Sequence, residues 1–262
     1  MLEGKEALQH CIQCGRESGD YITKGELIKD GEMIQHTPLL HKPQDLEYEK
    51  TFWPFILISK KRYTGDKYEY NTEDSKRTSM GIVLKRRDNA PIVKYVFGNV
   101  IEIIMIEKNL QKAVDWLRET LHQIRNGDFT DSKYIITKSL RGYYKNPQQI
   151  AHKVLADRMA IRDPGNKPKS NDRIPYAYIT LSQDQLYDTK NPYKSGVRKG
   201  QPRLKNVLQG DRIEHIDYIR KNNKKLDYEF YITNQIMNPV KQVLDLILPP
   251  DKTEIIFREN NI

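Results

Sequence analysis

The chain has 262 residues, with 44 Lys or Arg against 35 Asp or Glu, which gives a formal net charge of +9. Its length allows one large domain or two smaller ones, and its charge favours a nucleic acid or another anionic surface as partner. No apolar run approaches the ~18 residues that span a membrane. The first residues do not read as a secretory leader, and two cysteines make no disulfide framework. We therefore expect a soluble intracellular protein.

Residues 4–29 are predicted to be largely helical, because Leu8 and Ile12 lie on one helical stripe. Cys11 and Cys14 form a CxxC within it, but a zinc site needs two further ligands, and the sequence has no second CxxC or CxxH. Two buried neighbours on a helix would show the same spacing, and this interpretation is favoured. Residues 30–44, with Gly and two prolines, are predicted to form a connecting loop.

Residues 45–63 read DLEYEKTFWPFILISKKRY and predict a mostly buried strand, because their middle is aromatic and β-branched and their ends are charged. Alternate residues of a strand share a face, so Glu47 and Glu49 are predicted to point the same way. The other end carries Lys60, Lys61 and Arg62. A solvated edge strand with lysines that block aggregation is the alternative interpretation.

A polar, hairpin-like segment follows at residues 64–78, and Met80 to Leu84 alternate as a strand would. The next residues are Lys85, Arg86, Arg87 and Asp88. Three adjacent cations beside one carboxylate indicate phosphate contact with an internal ion pair, and a solvated turn is the alternative.

The second half of the chain is predicted to be mainly helical, with helices over residues 99–126, 146–165 and 214–249. Gly127 is expected to end the first, and Asn238-Pro239 is expected to break the last. Residues 131–142 and 170–182 read as extended segments. Residues 184–211 are basic and rich in Gly and Pro, which predicts flexibility and an electrostatic role.

Four of these segments resemble, in order, segments of family B replicative DNA polymerases, especially the delta type. LEYEK…PFILISKKRYTG resembles the family's LEFEK…PYLLINKKRYAG, and GIVLKRRDNAPIV resembles KGLETVRRDNCPLV. ITKSL…NPQQIAHKVLADRMAIRDPG…NDRIPYAYI resembles ITKEL…KQPHVALAERMKKRDPG…GDRVPYVI, and the segment after residue 214 resembles the one that closes the thumb domain.

The resemblance implies an α+β fold, in which the C-terminal strands and helix of a polymerase palm (residues 1–98) precede a mainly helical, duplex-gripping thumb (residues 99–262). It implies that Lys60 and Lys61 approach the minor groove at the primer end, within a KKRY segment that also holds Arg62 and Tyr63. The other residues implied in DNA binding lie at the palm–thumb junction and in the thumb: Arg86, Arg87, Asp88, Arg158 and Arg173.

The resemblance also implies a deficit in catalysis. Family members hold two Mg²⁺ ions with aspartates from DxxSLYPS and YGDTDS, and neither motif occurs in this sequence. Glu47 and Glu49 match accessory carboxylates near those metals, so the chain alone is expected to bind no metal and to be inactive. The implied partners are primer–template DNA, an N-terminal polypeptide that carries the aspartates, and a sliding clamp, at a site of DNA replication in nucleus, cytoplasm or viral factory.

Two origins fit such a sequence, which are a split subunit and a truncated part of a longer polymerase. The alternative function is a non-enzymatic, sequence-independent DNA-binding protein with a thumb-like fold. A membrane-surface protein would need a basic amphipathic helix at residues 214–248, where acidic and Asn residues argue against it.

Overall fold

A computed structural model describes residues 3–85 and 88–258. The chain divides after Lys85 into two compact units. The palm–thumb boundary predicted at residue 98 lies inside a helix, Pro91–Glu102. The described helices and strands confirm the α+β class. No described helix has the length and apolar character required to cross a membrane.

The first unit contains one helix, a separate hairpin and a three-stranded antiparallel sheet in the order β3-β4-β5. Its elements are α1 (Gly4–Lys24), β1 (Glu26–Lys29), β2 (Glu32–Gln35), β3 (Thr51–Ser59), β4 (Arg62–Tyr68), β5 (Lys76–Met80) and a 3-10 turn at Val83–Lys85. Leu8 and Ile12 of α1 form a small core with Tyr68, and Tyr48 packs against it. Gly15 and Gly19 of α1 permit this packing, because a Cβ on Gly15 would lie 2.5 Å from the Tyr48 ring and one on Gly19 would lie 2.9 Å from the Leu46 carbonyl oxygen.

Three features of this unit differ from the prediction. Cys11 and Cys14 are exposed rather than buried, because the buried stripe of α1 runs through Leu8 and Ile12. The first part of the loop predicted for residues 30–44 is instead the turn and second strand of a hairpin, which ends at Gln35. Asp30 (φ 52°) and Gly31 (φ 85°) take the left-handed conformations that a tight hairpin turn requires. The strand predicted for Met80–Leu84 ends at Met80, because Gly81 (φ 61°) turns the chain away.

The second unit is mainly helical around a small sheet in the order β10-β7-β6, and a short pair β8-β9 lies apart from that sheet. In chain order it contains α2 (Pro91–Glu102), a π-helix (Ile103–Glu107), α3 (Leu110–Asn126), β6 (Ile136–Ser139), α4 (Ala151–Arg162), β7 (Arg173–Tyr178), α5 (Gln183–Leu186), β8 (Tyr187–Asp188), β9 (Arg203–Leu204), β10 (Ile213–His215), α6 (Ile216–Lys221), α7 (Tyr228–Phe230), a second π-helix (Tyr231–Ile236), α8 (Met237–Leu244) and α9 (Pro250–Arg258).

Gly127 ends α3 in the left-handed conformation, as predicted. The predicted helix break at Asn238-Pro239 is wrong, because both residues lie within α8. Pro239 lies in α8, directly after a π-helix, and the chain is helical on both sides of it. The interruption falls earlier, between α6 and α7, where Asn223 has φ 48°.

The core of the second unit includes a tyrosine linkage. The Tyr231 hydroxyl donates to the Tyr134 carbonyl oxygen at 2.6 Å and accepts from the Tyr178 backbone N–H at 3.0 Å. It thereby joins the second π-helix to β7 and to the turn before β6. Buried backbone groups must be satisfied in this way when no ladder partner is available.

Candidate nucleic-acid interface

The KKRY segment forms the tip of a hairpin. Lys60 and Lys61 connect β3 to β4, in which Ser59 pairs with Arg62 and Leu57 with Tyr63. Both lysines are exposed, and neither ammonium group makes an ion pair or hydrogen bond with the residues that the structure describes. The tip therefore presents two positive charges without neutralisation from within that part of the chain.

The backbone of this tip is held in an uncommon conformation. Lys61 has φ 60°, a region that costs a non-glycine residue about 1–2 kcal/mol. Gly81 lies against it, because a Cβ built on Gly81 would approach the Lys61 carbonyl oxygen to 2.2 Å. Gly81 itself has φ 61°, so a side chain would be strained there as well as obstructed. The sequence analysis did not identify Gly81.

One face of the sheet carries an aromatic cluster behind the tip. The Tyr63 ring lies 5.6 Å from the rings of Phe52 and Phe55, measured between centroids. The rings pack over Gly65, where a Cβ would lie 2.9 Å from the Phe55 ring. Strand register places Leu57 and Met80 on this same face, and they are 54% and 42% exposed. Near the tip this face is therefore apolar, and Leu57 and Met80 on it are exposed among the residues that the structure describes.

The opposite face of β4 is polar and cross-linked. Thr64 is fully buried and shares a hydrogen bond of 2.8 Å with Ser79 of β5. Asp66 accepts from Arg77, which also lies on β5, with Nη2 to Oδ2 at 3.2 Å. These cross-strand pairs fix the register that sets the position of the tip.

Glu47 and Glu49 lie outside the strand in which they were predicted. Strand β3 begins at Thr51, because its partner β4 ends at Tyr68 and provides no ladder for earlier residues. The preceding segment runs along α1 instead, where the Leu46 N–H donates to Thr23 Oγ1 at 2.9 Å. Both glutamates are exposed on either side of the inward-packed Tyr48, and Glu49 pairs with Lys50. Since β3 separates them from the tip, roughly 30 Å of extended chain lies between the acidic and basic ends.

The junction residues are described only in part. Arg86 and Arg87 lie outside the described residues. Asp88 lies in a turn before α2, close enough to Tyr176 for its charge to contribute, after burial, to raising the pKa of that phenol.

Arg158 and Arg162 of α4 converge on Glu214 of β10. Glu214 is 4% exposed and accepts two hydrogen bonds from Arg162, at 3.0 and 2.9 Å. The same guanidinium lies 3.9 Å from the ring centroid of Tyr218, and the Glu214 hydrogen bond raises the pKa of Arg162. Arg158 donates to the carbonyl oxygens of Gly210 and Ile213 at 2.7 and 2.6 Å. Both terminal nitrogens of Arg158 thus donate to the backbone within the chain.

Arg173 is exposed at one corner of the sheet β10-β7-β6, among other basic residues. It begins β7 opposite Ser139 of β6, and its guanidinium donates to Ser139 Oγ at 3.5 Å and to the Thr137 carbonyl oxygen at 3.4 Å. Lys138 pairs with Ile174, the residue after Arg173, and Arg141 follows two residues after Ser139. The charges of Lys138 and Arg141 add to burial in lowering the pKa of His152. The sequence analysis did not single out Lys138 or Arg141, although ITKSLRG places both cations at a strand end.

The carboxylates of the chain are the candidate ligands for a metal ion. Within the two described stretches, no group of three or more His, Cys, Asp and Glu side chains could hold a metal ion. Glu47 and Glu49 alternate along one exposed segment and could only supplement ligands from elsewhere. The described residues thus do not by themselves fit a two-metal centre.

Comparisons with known proteins identify the family to which the chain is similar. A family model described as DNA polymerase family B matches residues 22–247. The chain is 47% identical over 247 residues to a DNA polymerase of Pyramimonas orientalis virus, a match that covers 94% of this chain and 18% of that protein. It is 45% identical over 218 residues to a DNA polymerase of Acanthamoeba polyphaga mimivirus, covering 83% of this chain and 12% of that protein.

More distant relatives are DNA polymerases as well. The chain is 32% identical to the DNA polymerase delta catalytic subunit of Caenorhabditis elegans, over 83% of this chain and 18% of that protein. The fold is similar to that of the family B DNA polymerase from the archaeon Pyrobaculum calidifontis, with a TM-score of 0.50 and 18% identity over 74% of this chain and 21% of that structure. The chain spans about a fifth or less of the length of these relatives. It belongs to DNA polymerase family B.

Proposed function

We propose that this chain is the part of a family B DNA-directed DNA polymerase that holds the primer–template duplex. The carrying observation is the hairpin tip, where Lys60 and Lys61 are exposed, with ammonium groups that pair with no described residue, on a backbone that Gly81 supports. Two lysine ammonium groups can donate to the purine N3 and pyrimidine O2 acceptors that every base pair presents in the minor groove. Such contacts report pairing geometry and not sequence.

The phosphate contacts in this proposal come from both units. Arg62, Arg86 and Arg87 would meet the backbone near the tip, with Asp88 as an ion partner, while the Tyr63 ring stiffens the hairpin from behind. In the second unit, the corner around Arg173, Lys138 and Arg141 supports a phosphate role because it is basic. Arg158 is assigned to holding α4 against β10 instead, because its terminal nitrogens are already bound.

The chemistry of nucleotide addition requires residues outside this chain. Two Mg²⁺ ions, when bound, would activate the primer 3′-hydroxyl and neutralise the triphosphate charge. The aspartates that hold them would come from an N-terminal polymerase polypeptide, with Glu47 and Glu49 as accessory carboxylates. The uncovered apolar face around Phe55, Leu57 and Met80 supports such a partner, because an apolar sheet face of this kind commonly marks an interface. A sliding clamp and a location at the site of replication, whether nucleus, cytoplasm or viral factory, belong to the same proposal.

Nucleotide incorporation on a labelled primer–template tests this function. The isolated chain should add no nucleotide with Mg²⁺ and the four triphosphates, and addition of the polypeptide that carries YGDTDS should restore extension. The same mixture containing Lys60→Ala/Lys61→Ala should extend poorly, with a higher apparent KM for duplex. Steady extension by the isolated chain would contradict the proposed division of roles. Failure of the mixture to extend, despite formation of a stable complex, would contradict the polymerase assignment.

A further inference from the structure

Residues 187–204, here called the basic arm, form a hydrogen-bonded projection of the second unit. Tyr187 and Asp188 of β8 pair with Leu204 and Arg203 of β9. Beyond this strand pair, the Tyr193 N–H donates to the Gln201 carbonyl oxygen at 3.0 Å, and the Gly200 N–H donates to the Tyr193 carbonyl oxygen at 2.9 Å. These hydrogen bonds close the segment into a two-sided arm.

The arm concentrates positive charge at an exposed tip. It carries five cations and one acid, a net charge of +4 against +9 for the whole chain. All five cations are exposed, and none makes an ion pair with the residues that the structure describes. They are Lys190, Lys194, Arg198, Lys199 and Arg203.

The one acid of the arm is occupied by its own turn. The Asp188 carboxylate accepts from the backbone N–H groups of Lys190 and Asn191 at 3.0 and 3.2 Å, and from the Asn191 side chain at 3.0 Å. It shapes the base of the arm and leaves the cations of the tip unneutralised within the described part of the chain. Arg203 lies 5.5 Å from the ring centroid of Tyr193, which holds one cation in place across the two sides.

The arm has no evident role in stability. Its tip has no apolar core, Val197 is fully exposed, and Leu204 is 65% exposed. Five like charges on a short projection repel one another, and a bound polyanion would relieve that repulsion. An anionic membrane is a poor match, because the arm has no amphipathic helix to insert.

We infer that the basic arm is a second nucleic-acid contact, which binds the phosphate backbone of duplex DNA independently of sequence and separately from the lysine hairpin tip. This inference rests on the proposed function, and it extends it by assigning a site in the second unit. The Lys and Arg side chains would contact phosphate oxygens, with no group that reads bases. Each phosphate neutralised should add about 0.9 to the slope of log affinity against log salt.

The test is equilibrium binding of the full chain to a fluorescent primer–template duplex between about 50 and 200 mM salt. Lys194→Gln/Arg198→Gln/Lys199→Gln should weaken binding about tenfold near 100 mM salt and should lower the salt slope by about 2 to 3. The loss should be equal for duplexes of different sequence. The matched control, Lys112→Gln/Lys241→Gln/Lys252→Gln, removes the same charge from α3, α8 and α9 and should change the slope by less than about 1. Circular dichroism checks that every variant is folded.

The outcomes separate this inference from the proposed function. Wild-type binding that falls in Lys60→Ala/Lys61→Ala but not in the arm variant would overturn the arm and leave the hairpin proposal intact. A loss confined to the arm variant would support the arm and count against the hairpin. Equal losses in the arm variant and its control would overturn the arm by showing that only net charge matters. No duplex binding by the folded wild type would overturn both.

Discussion

The carbonyl oxygen of Lys61 occupies the space that a side chain on Gly81 would need, because only 2.2 Å separates that oxygen from the point where a Cβ would lie. Lys61 is at the tip of one hairpin and Gly81 follows the last strand of the same sheet, so the tip is supported by the far edge of the sheet. The positions of the two lysines therefore depend on a residue with no side chain.

Gly81→Ala should disturb this support. We expect a loss of about 2–4 kcal/mol in the free energy of unfolding, because strain at positive φ adds to a contact with backbone that cannot move aside. Duplex binding should fall as well. Gly31→Ala is the matched control, since Gly31 also has positive φ (85°) but meets nothing within 4 Å. It should cost only about 1–2 kcal/mol and leave binding unchanged. Equal effects of the two substitutions in urea unfolding would refute the support role.

Lys61→Gly should separate stability from binding. Glycine relieves the positive φ of Lys61, so the folded protein should be as stable as wild type or more stable by up to about 1 kcal/mol. Binding to a primer–template should nevertheless weaken as much as in Lys61→Ala, because both remove the ammonium group. Lys60→Gly provides the comparison, since Lys60 lacks a positive φ and gains no such relief. Retention of full affinity by Lys61→Gly would show that the side chain is not a DNA contact.

Sequence patterns predicted the helices and strands whose signals are local. The stop at Gly127 and the hairpin after residue 64 followed from residue type and alternation. Glu47 and Glu49 were predicted within the strand but lie outside β3, because a ladder needs a partner of matching length, which the sequence does not display. The dipeptide Asp30-Gly31 is typical of a tight hairpin turn, although the sequence analysis assigned it to a loop.

Only part of the candidate site could be predicted from the sequence. Lys60 and Lys61 were identified by resemblance, and the structure places them together at one exposed tip. Gly81 lies twenty residues further along and became relevant only through strand pairing. The packing of α4 on β10 likewise sets the partners of Arg162 and Arg158, which are Glu214 and the Gly210 carbonyl oxygen. A count of the cations in the sequence could therefore not distinguish these arginines from exposed ones.

Arg162→Lys should destabilise the second unit. Lysine cannot make the two hydrogen bonds to buried Glu214 or stack on Tyr218, so we expect a loss of about 1.5–3 kcal/mol despite the retained charge. Arg220→Lys is the matched control on α6, where the arginine is exposed, and it should be neutral. Chemical denaturation measures both. A stability of Arg162→Lys within about 0.5 kcal/mol of wild type, an effect typical of surface sites, would contradict this role of the pair.

The buried tyrosines should make the second unit sensitive to alkali. Burial raises the pKa of Tyr134, Tyr176, Tyr178 and Tyr231 above the ordinary value of 10.0. Below pH 10 both folded and unfolded phenols are protonated, so the stabilisation is complete. Above pH 10 the unfolded chain ionises first, and the free energy of unfolding should fall by about 1.4 kcal/mol per pH unit for each such tyrosine.

Tyr231→Phe sharpens that prediction. Near pH 8 it should lose about 1–3 kcal/mol, because the Tyr134 carbonyl and the Tyr178 N–H lose their partner. The difference from wild type should narrow above pH 10, since phenylalanine cannot ionise. Tyr143→Phe, at a position that is 81% exposed, should match wild type throughout. A difference that stays constant with pH would show that Tyr231 does not contribute to the alkaline transition.

The proposed grip of the hairpin tip on duplex DNA is best tested by primer–template affinity over a salt series, for wild type and Lys60→Ala/Lys61→Ala. Lys241→Ala/Lys252→Ala removes the same charge elsewhere and serves as the control. We predict binding that weakens steeply with salt, falls about tenfold or more in the hairpin variant, and changes little in the control. Wild-type affinity in the hairpin variant, with the control unchanged, would show that the tip does not grip DNA.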